Sequence, residues 1–567
     1  MRQKTFKKIL FLCILILLTS ISLQSAYYNV SGYVFLEGQT DHSGVKIKFY
    51  NLPSMEPEDS TYSQANGYYS INISPGYYLV EWTKDGYVPW ELGGFALVEN
   101  TELEAVTLVP GEVMEVSGFV SGTWTTNYVY YVTSDITIPS GLTLTINAGV
   151  RVKFSKGTNL ICNGKLIVNG TAENPVIFTS REPTPLPGDW GNVTLNTTYN
   201  SINYLNYEYA SDGIVGNNAH YTTIDHLTIK GNLNIDARGI YFSNSYNLTI
   251  TNNYISVSGE YGIYAYNSDN SNISGNTVIT PNNGIRAESS DNSIISNNTI
   301  TTTDNTTGPK NGIYTSNSPG ITIENNTIVA DENGIYTPNS YKAVIKNNHI
   351  TGRIYWNGIQ FTDSDSSKVI GNYVHRTREN YGVDDYIWQY LINGDNSEYS
   401  EICENDLYFW NNNSARRNMA IQSEWSKVES NIIVVKVNYE YFHIIHDDRN
   451  SDIINNEIKC NSYSYEDTKI ILSYSDGDAI SKIIGNDIEY SYEGQDRFDG
   501  VIWCQSNKII RNNKITANYI RRAIYCQSNC DVDSNIIAGD FDTRVIEIDG
   551  DSTFAVSYTH LTLPTKA

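Results

Sequence analysis

Residues 262–278 read GIYAYNSDNSNISGNTV, and residues 284–300 read GIRAESSDNSIISNNTI. Both follow one frame: Gly-Ile, an apolar residue 11 positions after the Gly, Asn 3 further on, and an apolar residue 2 beyond that. Working outward, Gly precedes Asn by 14 residues in six successive units, at Gly239, Gly262, Gly284, Gly312, Gly334 and Gly358. The Asn itself recurs twelve times, as Asn253, Asn276, Asn298, Asn326, Asn348, Asn372, Asn405, Asn431, Asn456, Asn486, Asn513 and Asn535. A repeat of 22–33 residues predicts a solenoid. In those six units all length variation falls between an Asn and the next Gly, so one arc of each turn is rigid and one corner accepts insertions.

The alternation in Gly262-Ile-Tyr-Ala-Tyr has period two, which is strand rather than helix. Three short strands per coil, with Asn and Gly at corners, predict a long single-stranded right-handed parallel β-helix in an all-β chain. Asn suits a corner because it tolerates the left-handed backbone and bonds neighbouring backbone through its amide. Stacked about 4.8 Å apart, such amides form a ladder, so the twelve Asn residues read as scaffold. The pattern resembles the parallel β-helix repeat family of pectate lyases, polysaccharide epimerases and the copper-linked β-helix proteins of nitrous oxide reductase maturation. The resemblance covers roughly residues 119–552. It implies a fold, and leaves function to particular sites.

Residues 1–26 read as a secretory signal peptide, with Arg2, Lys4, Lys7 and Lys8 ahead of an apolar run too short to span a bilayer. Loss of those four bases and no acids takes the net charge from −24 to −28. Such a surface repels nucleic acid and attracts cations. No later stretch is apolar enough to cross a membrane. The expected location is secreted, extracellular or cell-surface (periplasmic in a Gram-negative host). Residues 27–113 read as a small N-terminal β-sandwich with turns at Asn66-Gly67 and Pro75-Gly76. Asn66-Gly-Tyr-Tyr-Ser-Ile and Pro75-Gly-Tyr-Tyr-Leu-Val resemble the carboxypeptidase regulatory-like, transthyretin-like domain, which implies an accessory role. Residues 114–250 read as opening coils and cap, and 251–552 as the main repeats. The tail, 553–567, includes Val556–Ala567, which fits no coil and resembles translated sequencing-adapter read-through.

Chemistry is expected on outward ladders. The slot two after Gly holds Tyr241, Tyr264, Arg286, Tyr314, Tyr336 and Gln360, then Gln422, Trp503 and Tyr525. Tyr241, Tyr264, Tyr314, Tyr336, Trp503 and Tyr525 are the carbohydrate-binding candidates, because rings pack on the C–H faces of sugars. β-Propensity alone also favours Tyr at such positions. Two positions further on, Asp395, Glu424, His446 and Asp476 are expected in four consecutive coils, with Asp447 beside them. A shift of one residue would put His446 inside and Asp447 outside. Crowded carboxylates raise each other's pKa or recruit Ca²⁺, and are suited to proton abstraction. These five are the catalytic candidates. The His446-Asp-Asp-Arg segment is faintly similar to the His-Asp motif of alginate epimerases, but Ile444-Ile445 stand where that family has Asp-Pro, and no role is carried over.

No cofactor is expected beyond such a Ca²⁺, and the few scattered His and Met give no copper site. Six cysteines follow the signal without metal-ligand spacing. Cys504 and Cys526 lie in matching segments and should stack, either as a disulfide or as a pair of buried thiols. Ala265, Ala287, Thr315 and Thr337 in the same slot favour thiols. The favoured function is binding of polysaccharide or other cell-surface glycan without catalysis, as in an adhesin. The alternative is a lyase, epimerase or glycoside hydrolase acting on acidic polysaccharide.

Overall fold

A computed structural model describes residues 27–108, 110–182, 184–230, 237–303, 310–376, 389–411, 418–437, 442–462, 469–492, 500–541, 544–549 and 560–562. The signal-peptide expectation lies outside them, as does most of the tail. Among the described residues no helix is long and apolar enough to cross a membrane.

The chain divides into two compact units. The first, centred on residues 27–114, holds two four-stranded sheets. Tyr28–Leu36 pairs antiparallel with Tyr68–Ile73, and Lys46–Asn51 pairs antiparallel with Glu56–Tyr62 and Gly76–Thr83. The turns at Asn66-Gly67 and Pro75-Gly76 therefore pass the chain between sheets and do not close hairpins. Val30, Val34, Ile47, Phe49, Tyr69, Val80 and Trp82 make up much of its buried core.

The second unit is a right-handed parallel β-solenoid with three sheets. Isoleucines 240, 263, 285, 313, 335, 359, 392, 421, 445, 471, 502 and 524 pile in one unbroken register, all fully buried. The residues three before and two after each Asn form two further columns. Each such buried side chain contributes roughly 1.5–3 kcal/mol of transfer free energy. At the far end, His560–Thr562 pairs in parallel with Ile536–Ala538. Part of the tail thus adds a strand, against the expectation that it fits no coil.

The twelve Asn residues form one buried ladder. Each Nδ2 donates to Oδ1 of the next Asn at 2.8–3.0 Å, from Asn253 through to Asn535. The left-handed residue at this corner is the one before the Asn. Asn252, Gly275, Asn297, Asn325, Asn347, Gly371, Glu404, Ser430, Asn455, Gly485, Asn512 and Ser534 all have φ between 55° and 71° or within a degree of it. The ladder Asn is thus selected for its amide and not for backbone tolerance. A serine ladder, unread in the sequence, closes another corner: backbone N–H of Ser268, Ser290, Ser318, Ser340 and Ser364 each meets the Oγ of the next Ser at 2.9–3.2 Å.

The repeated Gly answers a close approach across the coil. A Cβ on Gly312 would lie 2.3 Å from Ile328 Cγ2 and 2.7 Å from the carbonyl oxygen of Gly334. Gly312→Ala should therefore lower the unfolding free energy by about 1–3 kcal/mol, as overpacking does. Urea unfolding checks this, and an unchanged midpoint would show that the corner yields freely.

Candidate functional site

The Ile column fixes which neighbours point out. Its following residue builds a continuous ladder: Tyr241, Tyr264, Arg286, Tyr314, Tyr336, Gln360, Asn393, Gln422, His446, Leu472, Trp503 and Tyr525. All six expected aromatic residues lie on it, half-buried. Tyr241 and Tyr264 rings are 5.2 Å apart, Tyr314 and Tyr336 5.4 Å, and Trp503 and Tyr525 5.6 Å. The Arg286 guanidinium bridges the first two pairs, 5.0 Å from the Tyr264 ring and 4.9 Å from Tyr314. Glu288 holds that guanidinium and accepts from Tyr264 Oη at 3.0 Å. The stripe is thereby a set surface, with ring faces fixed before any ligand arrives.

The ladder runs into an acidic cluster. One carboxylate oxygen each of Asp395, Glu424 and Asp448 lie within 4.8 Å of one another. A β-bulge between Ser423 and Glu424 lies at this meeting. Ser423 stays opposite Asp447, whereas Glu424 falls opposite Arg449, leaving Asp448 as the extra outward residue. Bulges re-aim side chains in this way. Gln422 Nε2 donates to Asp448 Oδ2 at 2.7 Å and to Asp395 Oδ1 at 3.3 Å. His446 Nε2 lies 3.1 Å from Asp448 Oδ1, and Arg449 Nε 3.7 Å from Glu424 Oε2. Glu424 is only 4% exposed, and its Oε2 has no hydrogen-bond donor among the described residues.

The three carboxyls are not equivalent. Burial pushes Asp395 up, with the Asp448 and Asp363 charges adding to it. Burial likewise raises Glu424, helped by Asp395 and Asp448 and opposed by the Asn396 N–H and Arg449. Burial also acts on Asp448, but contacts from His446 and Gln422 and the charge of Arg449 outweigh it and hold Asp448 below its ordinary value. Burial and the charges of Asp395 and Asp448 raise the nearby Tyr390 phenol. Three carboxylates so placed suit a hard cation such as Ca²⁺, or proton transfer between groups of unequal acidity.

Of the five acidic or imidazole candidates, Asp395 and Glu424 come together. His446 does not sit in their ladder; it points outward one slot earlier, paired with Gln422. Asp447 points inward and is fully buried, so it cannot meet a ligand on this face. It bonds Ser473 Oγ at 2.5 Å and the Ser451 N–H at 2.9 Å, and lies 3.6 Å from Lys508 Nζ. Asp476 is exposed and outside the cluster. Asp448 and the bridging Gln422 take their places. The adjacency Asp447-Asp448 was the available signal, but no Gly precedes Ile445 to mark which of the two faces out.

Residues 188–300 and 212–374 match the family model described as a right handed beta helix region, and residues 119–240 match the pectate-lyase like beta helix domain. No curated protein matches the chain in sequence. Among solved structures, a type II cohesin–X-dockerin complex from Acetivibrio cellulolyticus is similar at 22% identity over 15% of this chain and 58% of that one, with a TM-score of 0.13. The chain thus spans little more than half of that relative. The tailspike of Escherichia coli bacteriophage HK620, solved with a hexasaccharide, is 12% identical over 75% of this chain and 73% of its own, with a TM-score of 0.32. The surface adhesin PfbA of Streptococcus pneumoniae is 11% identical over 78% and 85%, with a TM-score of 0.23. Stacked register and family matches together show a right-handed parallel β-helix, with residues 119–374 similar to the β-helix family models.

Proposed function

We propose that this is a secreted or surface-exposed glycan-binding protein, and that its ligand lies along the outward side of the Gly-Ile sheet. The observation that carries this reading is the continuous outward ladder from Tyr241 to Tyr525, rings and amides at all but Arg286 and Leu472, with an acidic cluster midway. Rings supply stacking surfaces for sugar C–H faces, and Gln360, Asn393 and Gln422 supply donors and acceptors for hydroxyls. Charge favours neutral chains. A protein of net charge −24 with three clustered carboxylates repels polyuronates unless a cation bridges them. A glycan array with and without Ca²⁺ tests the reading. Tyr314→Ala and Tyr336→Ala should each cost about 1–2 kcal/mol of affinity, roughly five- to thirty-fold in Kd. Binding that ignores both substitutions would remove the ladder from consideration.

The unequal acidities favour a second reading, hydrolysis of a neutral glycan. Glu424, held protonated longer, would donate to the leaving oxygen while Asp448, held ionised, attacks the anomeric carbon; water then releases the sugar from Asp448 with Glu424 taking its proton, the order that carboxylate oxygens within 4.8 Å allow. Release of reducing ends should then disappear in Glu424→Gln and in Asp448→Asn. Because Glu424 is raised, activity should fall as pH rises through its pKa. Absence of released ends from every polysaccharide bound would leave binding alone.

A further inference from the structure

The inward slot two after each Ile changes character along the solenoid. Ser423, Asp447, Ser473, Cys504 and Cys526 follow one another in register. Cys504 and Cys526 are free thiols, with Sγ atoms 3.0 Å apart. A third thiol joins them from the next corner. Asn529 takes a left-handed conformation, φ 46°, and Cys530 turns back into the interior at 3% exposure. One Sγ from each of Cys504, Cys526 and Cys530 lies within 4.8 Å of the other two. Ile509 pairs with Asp531, so Lys508 fills the slot of Cys530 one coil earlier. Its ammonium is buried, bonded to the Tyr474 carbonyl at 2.7 Å and Ser481 Oγ at 2.6 Å. The remaining described cysteines, Cys162, Cys403 and Cys460, stand outside this cluster.

We propose that Cys504, Cys526 and Cys530 form a buried three-thiolate site for a soft d¹⁰ cation, with Cu(I) as the fitting ion. Three sulfurs on facing coils provide the soft donor set that selects such ions over Ca²⁺ or Mg²⁺. Zn²⁺ fits less well, because a closed zinc site takes four ligands. The positive charge of Lys508 offsets part of the negative charge that three thiolates bring inside the core, as outer partners do at metal sites. The three thiols release their protons as the ion binds. The spacing hid this site, since a ligand on the strand and one past the corner meet only when the coils stack.

The test is anaerobic titration of the reduced full-length chain with Cu(I) buffered by bathocuproine disulfonate. One equivalent should bind with sulfur-only coordination by X-ray absorption, and the melting temperature should rise. Cys504→Ser, Cys526→Ser and Cys530→Ser should each lose that equivalent while still melting cooperatively without metal. Cys162→Ser and Cys460→Ser should keep it. Lys508→Met should weaken binding about 10–100-fold. Failure to compete with the chelator would overturn the proposal, as would unchanged binding in Cys530→Ser. So would a Cys504–Cys526 disulfide in protein isolated without reductant.

Discussion

Replacing Lys508 with Met should destabilise the solenoid by about 3–5 kcal/mol, the usual result of stripping one partner from a buried ion pair. Lys508 and Asp447 side chains are both fully buried, 3.6 Å apart. Without the ammonium, Asp447 keeps Ser473 Oγ and the Ser451 N–H but faces no opposite charge in a dry interior. Asp447→Asn combined with Lys508→Met should recover much of the loss, because a neutral pair avoids the desolvation cost. The signs agree. Burial raises Asp447, so folding favours its protonated form and stability falls as pH rises from the ordinary carboxylate value through the raised one. Burial lowers Lys508, so stability falls as pH drops from the ordinary lysine value through the lowered one. Between those limits the charged pair costs stability. Denaturant melts of the two single variants and the double variant at neutral pH read the coupling directly. Additive losses would show that the two groups do not interact.

Asn348→Ala should cost about 2–5 kcal/mol, from two or three groups each losing a partner worth about 1–3 kcal/mol. Oδ1 of Asn348 accepts from both the backbone N–H and the side-chain amide of Asn326, at 3.0 and 2.9 Å. Its Nδ2 donates to the Ile323 carbonyl and to Asn372 Oδ1, both at 2.9 Å. All of this is dry, so the abandoned groups find no water. Asn348→Asp keeps the acceptor but loses the donor and buries a charge, and should do no better. Hydrogen exchange should locate the damage in coils around residues 323–372, because repeat coils contact only their neighbours. An Ala variant within 0.5 kcal/mol of the parent, about the scatter of a neutral surface change, would make the ladder decorative.

The fold was readable because its cause is periodic. Ile263, Ile285, Ile313 and Ile335 are buried for one reason, and the reason repeats with the sequence. The outward tyrosines followed, since alternation fixes the face once the inward residue is known. The acidic centre was only half readable. Asp395 and Glu424 were placed together, but the register of the next coil runs from Ile445, which sets His446 opposite Gln422 and Asp447 inward opposite Ser423. Ile444 stands where earlier coils carry the Gly that marks this register, so nothing in the sequence fixes it there. The corner chemistry was blurred for a similar reason. The left-handed position is Asn in six coils, but also Gly275, Glu404 or Ser430, and its tie to the ladder Asn appears only in backbone angles.

One corner of the coil tolerates variable length: Gly284 comes 8 positions after Asn276, and Gly312 comes 14 positions after Asn298. Those insertions fall in sequence just ahead of the Gly-Ile strand, and the amide stack runs on unbroken past them. Selection is therefore free to lengthen, shorten or exchange segments beside that strand without renegotiating the core. Such a chassis separates what must stay constant from what has to diversify, much as a loom holds its warp fixed while the weft changes.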